Sequence, residues 1–206
     1  DAESIKDHFN VRIVINTLMK SRLHTTTEEK VKGRRATSII GSIAEKGGAV
    51  YITDSSSLTA KTVIVKNCQA ESGGAFYVVD DTTVTISRKS ILANNSVDFD
   101  GGAVYVSNAL VNIKEGTVFE NNMAPFAFGG AVYLSPGATV KMRESTFKSN
   151  KAVEGGGIYV SRNSKFYSFG CTFNLNRASD NGGAISATMS PSCIIDNCLF
   201  VKNTAT

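Results

Sequence analysis

From residue 47 onward the apolar and polar positions repeat with two periods, a short one inside a long one. The short period is strand-like alternation. In Gly47-Gly48-Ala49-Val50-Tyr51-Ile52, Val50 and Ile52 share one parity and Ala49 and Tyr51 the other. The phrase returns as GGAFYV from Gly73, GGAVYV from Gly101, GGAVYL from Gly129, GGGIYV from Gly155 and GGAISA from Gly182, at spacings of 26, 28, 28, 26 and 27 residues. The Val50 position reads Val, Phe, Val, Val, Ile, Ile, and the Ile52 position reads Ile, Val, Val, Leu, Val, Ala. That parity is uniformly apolar and is expected to face a core. A second phrase, Phe-x-x-Asn-x-Ala, falls between the first: Phe119 with Asn122, Phe147 with Asn150, Phe173 with Asn176, and Phe200 with Asn203. Ile64–Asn67 and Ile91–Asn94 read as weaker versions. A third β-like run lies between the two phrases, at Thr83–Ile86, Leu110–Ile113, Thr139–Met142, Lys165–Phe169 and Cys193–Asp196.

Three strand-like runs in each repeat describe a coil that goes once round a solenoid. No interval between glycine pairs holds an amphipathic helical pattern. A propeller blade needs four strands and about 40 residues, and the Leu lattice of a leucine-rich repeat is absent. The expected fold is therefore all-β, a parallel β-helix with three-strand coils of about 27 residues over residues 47–206. Residues 1–46 are expected to form an irregular capping segment or first coil, with a strand at Val11–Ile15 and a degraded half-coil over Thr37–Glu45.

Each residue type has a part in such a stack. The pairs Gly47 and Gly48, Gly73 and Gly74, Gly101 and Gly102, Gly129 and Gly130, Gly155 and Gly156, and Gly182 and Gly183 permit a bend where a side chain would meet the coil above or below. Phe119, Phe147, Phe173 and Phe200 are expected to stack as a buried column. Asn122, Asn150, Asn176 and Asn203 fall at the following turn, where Asn tolerates left-handed backbone and its amide bonds along the stack.

As a set, the alternating Gly-Gly-Ala-aliphatic and Phe-x-x-Asn phrases resemble the repeats of the chlamydial polymorphic membrane proteins, across roughly residues 47–206. Gly157 in place of Ala, Phe76 in place of a branched aliphatic, and the regular Tyr after the motif depart from that pattern. The resemblance implies a right-handed parallel β-helix, the passenger of an autotransporter, an outer-membrane or secreted surface protein that acts in adhesion to host cells. The translocator barrel of that family is not in this sequence.

Composition and charge narrow the functional classes. The 206 residues are 42% hydrophobic and 19% charged, with 18 Gly and no Trp, which suits an all-β chain with many turns. No apolar run is long enough for a membrane-spanning helix. The net charge is +4, and its excess lies mainly in Lys30, Lys32, Arg34 and Arg35, read as a solvated loop. No aromatics interleave with that run, so nucleic acid is not an expected partner. No signal peptide is visible at Asp1-Ala2-Glu3-Ser4. The repeats favour a segment of a larger protein, with more coils following Asn203-Thr204-Ala205-Thr206.

The candidate chemistry is sparse. Cys68, Cys171, Cys193 and Cys198 form no Cys-x-x-Cys pair, and His8 and His24 lie outside the repeats, so no zinc site and no cofactor are expected. Cys171 and Cys198 each precede a column Phe by two residues. They read either as buried free thiols or as a cross-coil disulfide with an awkward torsion. Asp98, Asp100, Asp180 and Asn181 precede glycine pairs and read as solvated turn residues in preference to calcium ligands. Asn94-Asn95-Ser96 is a glycosylation sequon. Tyr51, Tyr77, Tyr105, Tyr133 and Tyr159 occupy one repeat position on the outward parity. They read either as a self-stacking ladder or as a flat face for a receptor or glycan. The third-run positions hold Thr, Asn, Lys and Ser and no carboxylate cluster of the kind a polysaccharide lyase or hydrolase uses. The expected function is non-enzymatic: an extracellular or cell-surface, adhesin-like segment that binds a receptor or glycan through a repeated face. A spacer or filament component packing against neighbouring copies is the first alternative, and a polysaccharide-active enzyme the second.

Overall fold

In the computed structural model, residues 29–31, 34–189 and 191–206 are described. The expectations for Val11–Ile15, His8 and His24 fall outside them. The described residues are all strand, bend and turn, and no helix among them is long and apolar enough to cross a membrane. The strands form four parallel sheets that run along the coil axis. The glycine sheet stacks Val50–Ile52, Phe76–Val78, Val104–Val106, Val132–Leu134, Ile158–Val160 and Ile185–Ala187. The second sheet stacks the third runs of the sequence, from Ser57–Lys61 through Thr83–Ser87, Leu110–Ile113, Thr139–Arg143 and Lys165–Phe169 to Ser192–Asp196. The phenylalanine sheet carries the Phe-x-x-Asn strands. A fourth sheet, which the sequence pattern did not reveal, holds the short strands that follow each Asn, such as Ser96–Val97, Lys151–Glu154 and Arg177–Ala178. The coils thus have four strands each and not three.

The core is built from single-residue columns. Val104 lies between Phe76 and Val132, and Val106 between Val78 and Leu134, all fully buried. In the phenylalanine sheet, Phe119 pairs with Phe147, Phe147 with Phe173, and Phe173 with Phe200. Their ring centroids are 4.6, 5.2 and 4.8 Å apart and the rings are nearly parallel. Strand separation in a parallel sheet sets this spacing, so the rings stack face to face because the backbone places them there. Each buried Phe contributes roughly 1.5–3 kcal/mol by burial.

Register corrects the two weaker phrases by one residue. Val65 and Leu92 continue the Phe column, since Val65 pairs with Leu92 and Leu92 with Phe119. The ladder positions three residues later are therefore Cys68 and Asn95, not Asn67 and Asn94. The left-handed turn also falls one residue before the ladder. Asn94, Asn121, Ser149, Leu175 and Lys202 have φ of 55°, 54°, 55°, 57° and 51°, whereas the ladder Asn residues are not among the positive-φ positions. Asn is selected in the ladder for its amide and not for its backbone freedom.

The alternation begins later than the sequence pattern suggests. Ala75, Ala103 and Ala131 are buried, not outward. Successive amides, for example those of Ala75 and Phe76, both donate to the Ala103 carbonyl, which breaks the pleat before the strand starts. The glycine pair just upstream has two separate requirements. Gly101 has φ of 73°, and a Cβ on Gly102 would collide with the Gly130 carbonyl of the next coil and with the Met123 backbone.

The ladder starts before Gly47. Thr37–Ile40 pairs in parallel with Val63–Lys66, and bridges join Ile43 to Gln69 and Lys46 to Ser72. Glu29–Val31 then pairs antiparallel with Arg34–Ala36. Much of the basic run thus lies in strands and not in a loop, and the antiparallel strand occupies the outer edge of the phenylalanine sheet. At the other end the last coil is uncovered: Leu199 and Phe200 are exposed, as are Ile194 and Ile195.

Candidate functional site

Two outward faces gather aromatic and polar side chains, and one inward ladder of Asn side chains links the coils. The ladder comes first. Asn122 Oδ1 accepts from the backbone N and Nδ2 of Asn95 at 3.1 and 3.0 Å. Its Nδ2 donates to the Leu92 carbonyl and to Asn150 Oδ1, both at 3.0 Å. Asn150 and Asn176 repeat the arrangement, and Asn203, last in the row, accepts from Asn176 and donates to the Phe173 carbonyl. The first four are fully buried or nearly so, and every amide is satisfied, as a buried polar row requires. A second polar column lies two residues before each Phe. Thr117, Ser145, Cys171 and Cys198 direct a hydroxyl or thiol at the carbonyl two or three residues upstream. All four cysteines are free. Cys171 and Cys198 are neighbours through the Cys171 N–H, which donates to Cys198 Sγ at 3.4 Å. Burial pushes the Cys68 and Cys171 thiols up.

The tyrosine face lies outside the glycine sheet. Tyr51, Tyr77, Tyr105, Tyr133 and Tyr159 pair in strict register. Their centroids are 5.4, 4.6, 5.4 and 5.4 Å apart, with interplanar angles of 20° or less. Four of the rings are half-buried; Tyr159 is only 9% exposed because Phe128 stacks on it at 4.8 Å. Phe128 gets there from the strand Met123–Phe128, whose register shifts between Ala124 and Phe128. The same excursion leaves Phe126 80% exposed. The Lys46 ammonium sits 5.6 Å from the centre of the Tyr77 ring. Burial and then its ring neighbours Tyr105 and Tyr51, followed by Asp80, push the Tyr77 phenol up to about 12. Burial, with Asp100 next, also pushes Tyr133 up. Asp100 accepts from the Phe128 amide at 3.1 Å, and its carboxyl is raised by its own burial. In the last coil Ser186 takes the tyrosine position and ends the stripe.

The second face was not legible as a site. On the outside of the second sheet a shallow groove of about 720 Å³ is lined by Thr85, Asn112, Lys114, Lys141, Arg143, Tyr167 and Phe169, with Ile113 and Met142 at its floor. Asn112 pairs with Lys141, and Lys141 with Tyr167, so one row crosses four coils and changes character at each. The Arg143 guanidinium lies 5.0 Å from the centre of the Phe169 ring. Aligning the third runs at the repeat offset, and reading their outward parity down the column, would have brought these cations together.

The candidate calcium positions do not converge. Among the described residues, no group of three or more His, Cys, Asp or Glu side chains is placed to hold a metal ion. Asp98 and Asp180 are exposed turn residues, and Asp100 is engaged with Phe128.

No curated protein and no solved structure matches the chain. Residues 30–200 match the family model described as right handed beta helix region, which covers most of the sequence and extends over all four sheets. With the parallel register from Thr37 to Ala205, this match places the chain in the right-handed β-helix family.

Proposed function

We propose that this chain is a non-catalytic, rigid segment of a larger extracellular or cell-surface protein, and that it binds a receptor or glycan through the tyrosine face. One observation supports the reading above the others: five tyrosines from successive coils hold parallel rings on one outward sheet face. Tyr offers a large contact area at a low entropic cost, and its hydroxyl keeps a polar handle at the rim. Repetition at one strand spacing suits a ligand with its own repeat, or a flat protein surface met by many weak contacts. Phe128 widens the face at Tyr159, and Lys46 adds a cation beside Tyr77. The groove of the second sheet has no carboxylate in its lining, and glycoside hydrolysis runs on a pair of carboxyl groups, which supports the non-catalytic reading over that of a hydrolase.

A structural spacer is the competing reading. The rings already cover one another, and a self-satisfied stack stiffens the sheet without any partner. Binding of the purified chain to host cells and to a glycan array separates the two. The double variant Tyr105→Ala with Tyr133→Ala is expected to lose binding by about tenfold or more, with its far-ultraviolet dichroism unchanged. Full binding by that variant, or none by the wild type, leaves the spacer.

A further inference from the structure

We propose that the groove on the second sheet binds an acidic polysaccharide, a glycan bearing carboxylate or sulfate groups, laid along the coil axis. The charge in the groove is of one sign. Lys114, Lys141 and Arg143 come from two consecutive coils, are exposed, and make no ion pair with another described residue. Arg143 is held over the Phe169 ring, which fixes the guanidinium before a ligand arrives. A fixed fork of N–H donors suits the paired oxygens of a carboxylate or sulfate.

The rest of the lining suits the sugar. Thr85 and Asn112 supply a hydroxyl and an amide for sugar hydroxyls. Tyr167 and Phe169 present half-exposed aromatic surface on which the C–H face of a pyranose packs. The row Thr85, Asn112, Lys141, Tyr167 advances one coil, about 4.8 Å, at each step. It therefore runs across the strands, so an extended chain meets a new chemical group at each coil.

Nucleic acid fits less well. A single strand of nucleic acid binds by stacking successive bases on aromatics spread along a basic track, whereas the two aromatics of this groove, Tyr167 and Phe169, belong to one strand, Lys165–Phe169, of a single coil. The net charge of the chain is only +4, far from the basic footprint of a nucleic-acid binder.

The whole chain should be run in affinity electrophoresis and titration calorimetry against four probes: heparin oligosaccharides, polygalacturonate, neutral dextran and a single-stranded oligonucleotide. Retardation by at least one of the two acidic glycans is expected, with none by dextran. Polygalacturonate carries carboxylates alone and heparin carries both groups, so binding of polygalacturonate shows that carboxylate suffices, and binding of heparin alone shows that sulfate is required. Lys141→Gln combined with Arg143→Gln should weaken that binding about tenfold or more. Tyr105→Ala with Tyr133→Ala should leave it unchanged, so this site stands or falls separately from the tyrosine face. The single variants Lys141→Gln and Arg143→Gln should each show part of the loss. Three results overturn the proposal: no binding to either acidic glycan, undiminished binding by the basic double variant with its dichroism intact, or an oligonucleotide bound as tightly as the glycan.

Discussion

Asn150 uses all four hydrogen-bonding positions of its side chain. Oδ1 accepts from the backbone N and Nδ2 of Asn122, and Nδ2 donates to the Phe119 carbonyl and to Asn176 Oδ1. Asn150→Ala would leave two buried donors on Asn122 without a partner. Each unmet donor costs about 1–3 kcal/mol, so a loss of about 3–5 kcal/mol is expected, read as a lower urea midpoint. The opposite change is available one coil from the start of the ladder. The Cys68 amide already donates to Asn95 Oδ1 at 3.0 Å, and Cys68 Sγ faces the Ile39 carbonyl at 3.9 Å. In Asn95, Asn122, Asn150 and Asn176, Nδ2 donates to the equivalent carbonyl and to the next Oδ1. Cys68→Asn should therefore extend the ladder and raise stability by about 1 kcal/mol. An unmoved midpoint for Asn150→Ala would show that the ladder carries no stability. A lowered midpoint for Cys68→Asn would show that the thiol fits its pocket better than an amide.

At the scale of the sheet, the tyrosine stripe has a pH dependence of known sign. Tyr77 is raised to about 12 by burial first and by the adjacent Tyr105 and Tyr51 next. An unfolded tyrosine titrates near 10, so the folded state resists ionisation. This contribution is fully present below about pH 10 and is lost as pH rises toward about 12. Tyrosinate absorbance followed together with dichroism should show ring ionisation and strand loss in that window, and Tyr77→Phe should reduce the loss. Tyrosines that all ionise near 10 with the fold intact would refute the coupling. The columns themselves were legible from sequence, because Val50, Phe119 and their equivalents combine strong apolarity with a fixed period. The fourth sheet was not. Its strands are mostly short, and in most coils the inward side is a single small apolar residue such as Ala70, Ala152 or Ala178. The one-residue slip at Asn94 arose because Asn94 and Asn95 are adjacent, and only hydrogen bonding tells the turn residue from the ladder residue. The groove was missed because its cations belong to different coils and meet only through register.

Across the whole molecule, each coil touches little but its two neighbours, so stability is set by interfaces between successive coils. The middle coils have two such interfaces. In Val104–Val106 and Val132–Leu134 the inward residues are fully buried. The last coil has one, and Ser192–Asp196 is exposed along its whole length. Opening it breaks a single set of ladder bonds, those from Ser192–Asp196, Leu199–Val201 and Thr204–Ala205 to the strands before them. Amide exchange followed by mass spectrometry should therefore be slowest in the coils that begin at Gly101 and Gly129 and fastest in the coil that begins at Gly182. Gly130→Val should remove this gradient from the middle outward. A Cβ on Gly130 meets the Gly156 carbonyl and the Lys151 backbone, so the variant separates two coils that lie at the centre of the stack. In that variant, protection should fall on both sides of residue 130 at once, while Thr37–Ile40 and Val63–Lys66 keep theirs. Uniform exchange along the wild-type chain would mean that the coils open as one unit and that nearest-neighbour interfaces do not govern this solenoid.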